Sequence, residues 1–249
     1  MNTPLPFRQI FWQTWRDLVF VHWEVSPESI EALLPAELEP ELFEGKAYVG
    51  LVPFRMTDIR AVWLPPVPGT SRTLETNVRT YVKRRGKSPE PIPAVWFFSL
   101  EAQSNLAVLV ARLKYGLPYF KAAMRFEKRV EVPDQIAYRA ESSRLWPKPL
   151  PGRSLVEATF SQHAPFLPAP PGTLEHFLVE RYALYARKRG KLTYAVVRHN
   201  PYRIKQGELR QVDSDLLRAA GLPTLRSDAT ALVHLAQDVT VQIGAPAHL

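Results

Sequence analysis

Leu74-Glu75-Thr76-Asn77-Val78-Arg79-Thr80-Tyr81-Val82 is the stretch from which the remainder of the chain is read. Successive side chains of a strand point to opposite faces. Leu74, Thr76, Val78, Thr80 and Val82 therefore make one β-rich row, and Glu75, Asn77, Arg79 and Tyr81 make the other. The first row suits packing. An acid, an amide and a guanidinium in the second need polar partners, water or a ligand, because burying them unpaired is costly. Outward from this strand, Ala94–Ala102 reads as a second central strand, joined to it by a basic loop over residues 83–93. Leu106, Leu109, Val110 and Leu113 then follow at i, i+3, i+4 and i+7, which predicts a short helix starting near Asn105 and stopped by Gly116.

On either side of this centre the chain alternates strands with short helices. Residues 18–25 have the β-branched and aromatic content of a strand, with His22 on the Leu18 and Phe20 face as a core histidine. Ser26-Pro27-Glu28 predicts an N-capped helix over 27–34. Residues 47–57 read as a buried strand bent at Pro53, a proline that suits an edge or a bulge. The proline-rich loop 61–69 is a candidate lid. Strand signals resume at Pro118 and run through Val132, and two weaker strands over 137–160 are split by residues 146–152. Thr173 caps a helix expected over 174–189 and ended by Gly190, with Leu174, Phe177, Leu178, Arg181 and Tyr182 along one side. Strands over 192–199 and 202–212, a short helix over 214–220 and a strand over 229–243 complete the reading.

Composition sets the outer bounds. The 249 residues, 46% hydrophobic and 22% charged, suffice for a sizeable core, and they are read as one domain over 1–249. The fold class is α+β, mostly antiparallel sheet curled into a barrel or cone with a few outer helices. No apolar run reaches the roughly 18 residues of a membrane span, and no signal pattern opens the chain, so a cytoplasmic protein is expected. The absence of cysteine excludes disulfides, thiolate nucleophiles and Cys-ligated zinc. A net charge of +8 invites a nucleic-acid reading. However, the basic runs Lys83-Arg84-Arg85 and Arg187-Lys188-Arg189 sit beside Gly86 and Gly190 without interleaved aromatics, as solvated turns would.

Several stretches, in order over nearly the whole chain, carry a resemblance. They are Phe20-x-His22-Trp23-x-Val25, Gly50-Leu51-Val52-Pro53-Phe54-Arg55-Met56, Glu75-x-Asn77-Val78-Arg79-Thr80-Tyr81-Val82, Trp96-Phe97-Phe98-Ser99-Leu100, Ala111-Arg112, Leu117-Pro118-Tyr119 and His199-x-Pro201. The chain resembles the YqjF-like family of conserved bacterial proteins, itself similar to the acetoacetate-decarboxylase-like fold superfamily. The resemblance implies a decarboxylase-like barrel with Glu75 as a pocket acid. In that superfamily catalysis depends on a lysine that follows a proline, precedes a second lysine and condenses with a keto acid. Here the two residues after Pro118 are Tyr119 and Phe120, so the Schiff-base pair is absent.

Lys121 is the nearest remaining amine, on the Tyr119 side of an extended strand, and with Glu75 it makes up the candidate catalytic set. Asn77, Arg79, Arg112, Tyr119, Ser99 and Glu101 are the candidate ligand-binding residues. Arg79 or Arg112 would grip a carboxylate, while the competing reading is a buried Glu75–Arg79 or Glu75–Arg112 ion pair. His199 reads as a turn residue. No metal or other cofactor is expected. Three functions stay open: a binder of a small acidic or carbonyl-bearing metabolite, with lyase-like activity as its extension; a noncatalytic structural or interaction module with a side-chain-filled barrel; and a nucleic-acid binder.

Overall fold

The computed structural model describes residues 7–66, 71–86, 92–132, 134–147, 152–222 and 230–248. Within them the chain runs β1 (Gln9–Arg16), β2 (Leu18–Val25), α1 (Pro27–Glu31), β3 (Leu38–Pro40), β4 (Ala47–Ala61), β5 (Thr73–Arg84) and β6 (Ala94–Ala102). Helix α2 (Asn105–Val110) continues into a π-helical turn (Ala111–Tyr115) and is followed by β7 (Tyr119–Val132), β8 (Gln135–Trp146), β9 (Arg153–Ser161) and β10 (Leu167–Pro168). The last third comprises α3 (Leu174–Val179), β11 (Ala183–Lys188), β12 (Lys191–Arg198), β13 (Arg203–Ser214), α4 (Asp215–Ala219), β14 (Leu232–Ala236), β15 (Val239–Gly244) and β16 (Ala247–His248).

The sheet closes on itself twice. One ring runs β1–β15–β12–β11–β6–β5–β4 and back to β1; the other runs β2–β14–β13–β9–β8–β7–β6–β5–β4 and back to β2. Strands β4, β5 and β6 are common to both and form a wall between the two interiors. Closure depends on a change of neighbour along each outer edge of that wall. On β4, β2 pairs as far as Leu51 and β1 takes over at Arg55. On β6, β11 pairs with residues 94–96 and β7 with residues 100–102, both in parallel. Pro53 sits in the gap between β2 and β1, where no ladder partner asks for its missing N–H, so the proline marks this handover rather than a sheet edge.

Because the wall has a ring on each side, the two rows of β5 face different interiors. Tyr81 shares the first core with Phe20, Tyr48, Phe54 and Leu100. Val78 shares the second with Val21, Leu51, Tyr138 and Phe160. In the second ring Arg144 donates from Nε to Glu101 Oε1 at 3.1 Å, and Ser99 Oγ donates to Glu101 Oε2 at 3.2 Å. Both members of the ion pair are almost wholly buried, and the guanidinium lies 3.6 Å from the centre of the Phe120 ring.

The helix expected over 174–189 is corrected. Thr173 caps it as read, accepting from His176 N at 3.3 Å, but α3 ends at Val179 and the chain re-enters sheet at Ala183. Gly190 is not a helix stop. Arg189 and Gly190, both with positive φ, form the two-residue turn of a hairpin in which Lys188 faces Lys191, as type I′ geometry requires. The periodicity misled because Ala183–Ala186 is buried on both faces as an interior strand and has no polar face to show alternation. The strand expected over 229–243 is a pair, β14 and β15, broken at Gln237-Asp238; residue 229 lies outside the described residues. Helix α1 stops at Glu31, short of Leu34. The candidate lid leaves Trp63 69% exposed in its described part, and residues 67–69 lie outside the described residues.

Candidate functional site

The interior of the first ring is not filled. It holds a cavity of about 210 Å³ that touches every strand of that ring, through Trp15, Phe54, Glu75, Phe97, Leu184, Val197 and Ile243. Helix α2 and its π-helical turn cover one end. Ser104 caps α2 by accepting from Ala107 N at 3.2 Å, and Gly116, at φ 74°, turns the chain toward β7. That path brings Tyr119 over the cavity wall.

Glu75 is buried on this wall and held by two donors. Tyr119 Oη donates to Oε2 at 2.5 Å, and Asn77 Nδ2 donates to Oε1 at 3.2 Å. Burial dominates, so the carboxyl is pushed up to about 7 from its ordinary 4.5, with the two hydrogen bonds pulling down and Glu101, across the wall, pushing further up. Burial and the Glu75 carboxylate together raise the Tyr119 phenol well above its usual range, which keeps it a donor at any ordinary pH.

A pH signature follows. The folded chain holds the Glu75 proton more tightly than the unfolded chain does. Stability from this group is therefore greatest below about pH 4.5 and falls as pH rises toward 7. Glu75→Gln keeps an oxygen for Tyr119 and cannot ionise. It is expected to gain on the order of 3 kcal/mol over the parent at pH 8 and almost nothing at pH 4.5. Glu101, also pushed up to about 7 by burial, adds its own fall in the same range, so the substitution lessens the slope without abolishing it. Urea melts of both proteins between these pH values are the check, and superimposable pH profiles would contradict the assignment.

Arg79 occupies the deeper end of the cavity. Its Nη2 donates to Leu178 O at 2.9 Å, its guanidinium lies 5.1 Å from the centre of the Phe20 ring, and its Nε has no partner. No carboxylate pairs with it among the described residues. Tyr81 Oη gives its single proton to the same Leu178 carbonyl at 2.8 Å, so the 2.6 Å contact with His22 requires His22 Nε2 to be the donor. Burial and Arg79 lower its pKa well below 6.5, so His22 is neutral and its Nδ1 is the acceptor nitrogen, left without a partner among the described residues. A Cβ on Gly50 would stand 2.9 Å from this imidazole, so the ring's place depends on the absence of a side chain there. Phe20, His22, Gly50, Arg79 and Tyr81, separate in sequence, form one buried stack.

The remaining candidates divide by face. Ser99 and Glu101 lie in the second ring. Arg112 donates to Tyr119 O at 2.7 Å and stands over the Phe120 and Trp146 rings, outside the cavity lining. Neither Glu75–Arg79 nor Glu75–Arg112 is an ion pair: the partners of Glu75 are neutral. Lys121 does not line the cavity; its Nζ donates to the Gln103 carbonyl, and the β7–β8 register shifts between it and Ala122. His199 packs between the Tyr182 and Tyr202 rings. Arg181 and Tyr202 also line the cavity; in sequence the first is absorbed by the helix expected over 174–189, and nothing local marks the second. Among the described residues no three His, Asp or Glu side chains gather as a metal site, and no helix is long and apolar enough to cross a membrane.

Comparison with known proteins agrees with this architecture. The model of the DUF2071 family, described as an uncharacterized conserved protein, matches residues 12–240. The uncharacterized protein YqjF of Bacillus subtilis (strain 168) is 36% identical over 235 residues, spanning 91% of this chain and 88% of that one. Among solved structures, an acetoacetate decarboxylase-like enzyme from Sphingomonas wittichii RW1 superposes with a TM-score of 0.61 at 12% identity, covering 97% of this chain and 93% of its own. The enduracididine biosynthesis enzyme MppR, complexed with pyruvate, gives 0.60 at 14% identity, covering 99% and 92%. These two likenesses establish an acetoacetate-decarboxylase-like fold and nothing finer. The family match over nearly the whole length and the identity to YqjF together make this chain a member of the DUF2071 family.

Proposed function

We propose that the chain binds a small organic acid noncovalently in the cavity of the first ring, with Arg79 receiving its carboxylate. The observation that carries this reading is the unmatched buried guanidinium. Arg79 is 9% exposed, lacks an acidic partner among the described residues and has a vacant Nε donor. A guanidinium cannot shed its proton to escape that cost, and its planar fork suits a carboxylate. Asn77 Oδ1, also unpartnered, awaits a donor. Glu75, pushed up to about 7 by burial, can give or take a hydrogen bond with a carbonyl or hydroxyl carried farther along the same ligand. The pyruvate complex of MppR supports a carbonyl acid by fold analogy alone.

The unfilled cavity favours binding over a solid structural module. Nucleic-acid binding is disfavoured because the basic runs meet acids: Lys83 pairs with Glu39 at 3.3 Å, Arg85 with Glu31 at 2.8 Å and Arg187 with Glu37 at 2.9 Å. A lyase-like extension would use Glu75 for proton transfer and no imine. Thermal-shift and calorimetric titration with a panel of monocarboxylates and keto acids tests the reading. A ligand at a hundredfold its Kd adds about 2.7 kcal/mol, or roughly 5–10 °C in a chain of this size. Absence of any saturable acid would refute it. For any acid that does bind, borohydride reduction and mass mapping are expected to show no adduct on Lys121, since its amine is engaged outside the cavity.

A further inference from the structure

The two polar stations of the cavity are separate. Glu75 and Arg79 lie four residues apart on β5, about 13 Å along the strand. Their side chains do not close that gap, because Nη2 of Arg79 is tied to the Leu178 carbonyl at the deep end, while Glu75 is tied to Tyr119. A three-carbon acid is only about 5 Å long. Between the stations Asn77 presents its unpartnered Oδ1 from β5, and the walls facing it are apolar. Val95, Phe97 and Leu100 of β6 face Phe54 and Trp15 there. Past Glu75 the lining becomes half-exposed, at Phe11, Ile59 and Val110, and ends at Leu106, which is 52% exposed. The cavity, of about 210 Å³, is thus cationic at its buried end and largely apolar toward its mouth.

We infer that the acid taken by this site is elongated and apolar-bodied, its carboxylate on Arg79 and its tail passing Glu75 toward the mouth beneath α2. This rests on the preceding reading of Arg79 and adds the class of ligand. A short keto acid seated on Arg79 would leave the Phe54, Phe97 and Trp15 walls uncovered and would not reach Glu75. A chain of several carbons covers those walls and displaces water from them, which is where affinity for such a pocket originates.

The test is a homologous series of butanoate, hexanoate, octanoate and decanoate, with pyruvate and octanol as references, titrated calorimetrically into the full chain. Affinity is expected to rise about fourfold per methylene until the mouth is reached, and octanoate to exceed octanol by at least tenfold. Val110→Trp, which narrows the mouth, is expected to weaken octanoate at least tenfold and to leave butanoate within twofold. Should that variant fail to fold, Leu106→Glu at the exposed rim is expected to weaken octanoate about fivefold with butanoate unchanged. If butanoate or pyruvate binds as tightly as octanoate, the elongated class is overturned while acid binding at Arg79 survives. If octanol matches octanoate, or if no member saturates, both this inference and the reading beneath it are overturned.

Discussion

Glu101→Leu is expected to lower the free energy of unfolding by about 3–5 kcal/mol, because it strands a buried guanidinium. Arg144 is almost wholly buried and donates through two nitrogens to Glu101. Once the carboxylate is gone, that charge cannot be neutralised by proton loss. In a chain of this length the deficit corresponds to a fall in Tm of roughly 10 °C. The reverse substitution, Arg144→Met, is expected to cost less, about 1–3 kcal/mol. Burial already pushes Glu101 up to about 7 beside the guanidinium. Without Arg144 it takes up a proton at neutral pH and keeps its contact with Ser99 Oγ. The double substitution is expected to fall closer to the parent than Glu101→Leu alone, because it removes both charges from the second ring. Urea and thermal melts of the four proteins form a double-mutant cycle. Equal costs for the two single substitutions would show that the ability of one partner to neutralise itself has no influence.

Arg79→Met is expected to abolish acid binding while leaving the fold intact. Truncating one member of a buried, hydrogen-bonded charge pair typically costs about 2–5 kcal/mol of affinity, from roughly 30-fold to several thousandfold. The unliganded protein should lie within about 1 kcal/mol of the parent. Loss of the bond to Leu178 O and of the Phe20 face is offset by removal of a buried charge that lacks an acidic partner among the described residues. The contrast is Arg112→Met. Arg112 holds the Tyr119 carbonyl from outside the lining, so its loss is expected to change affinity by no more than about threefold, through the placement of Tyr119. Calorimetric titration of the parent and both variants with one saturating acid decides the matter. Similar losses for the two arginines would remove Arg79 from its assigned place.

How much of this could be read without coordinates depends on the range of each interaction. The alternation from Leu74 to Val82 is local, and it correctly separated Glu75, Asn77 and Arg79 from Thr76, Val78 and Thr80, because the face of a strand residue is set by its own backbone. The caps at Ser26 and Thr173 and the turn at Gly116 were legible for the same reason: each rests on a hydrogen bond or a φ value within a few residues. The resemblance in motifs such as Phe20-x-His22 and Gly50–Met56 identified the fold but not that His22, Gly50, Arg79 and Tyr81 meet, which only the packing of β2, β4 and β5 shows.

Tertiary structure decided the rest, because the deciding contacts join distant parts of the chain. The sequence by itself determined that a polar row and an apolar row share β5. Which row faces a hollow and which a filled core was settled by two ring closures, β1 on β4 and β7 on β6. Tyr119 reaches Glu75 across 44 positions, and Leu178 reaches Arg79 across 99. Those meetings give Glu75 neutral partners in place of the competing Glu75–Arg ion pair and leave the guanidinium without an acidic partner among the described residues. The same closures set Ser99 and Glu101 with their backs to the cavity, and a register shift beside Lys121 accompanies its amine's engagement elsewhere. Alternation tells a side chain which way to point, but only the packing of remote strands decides what it meets there.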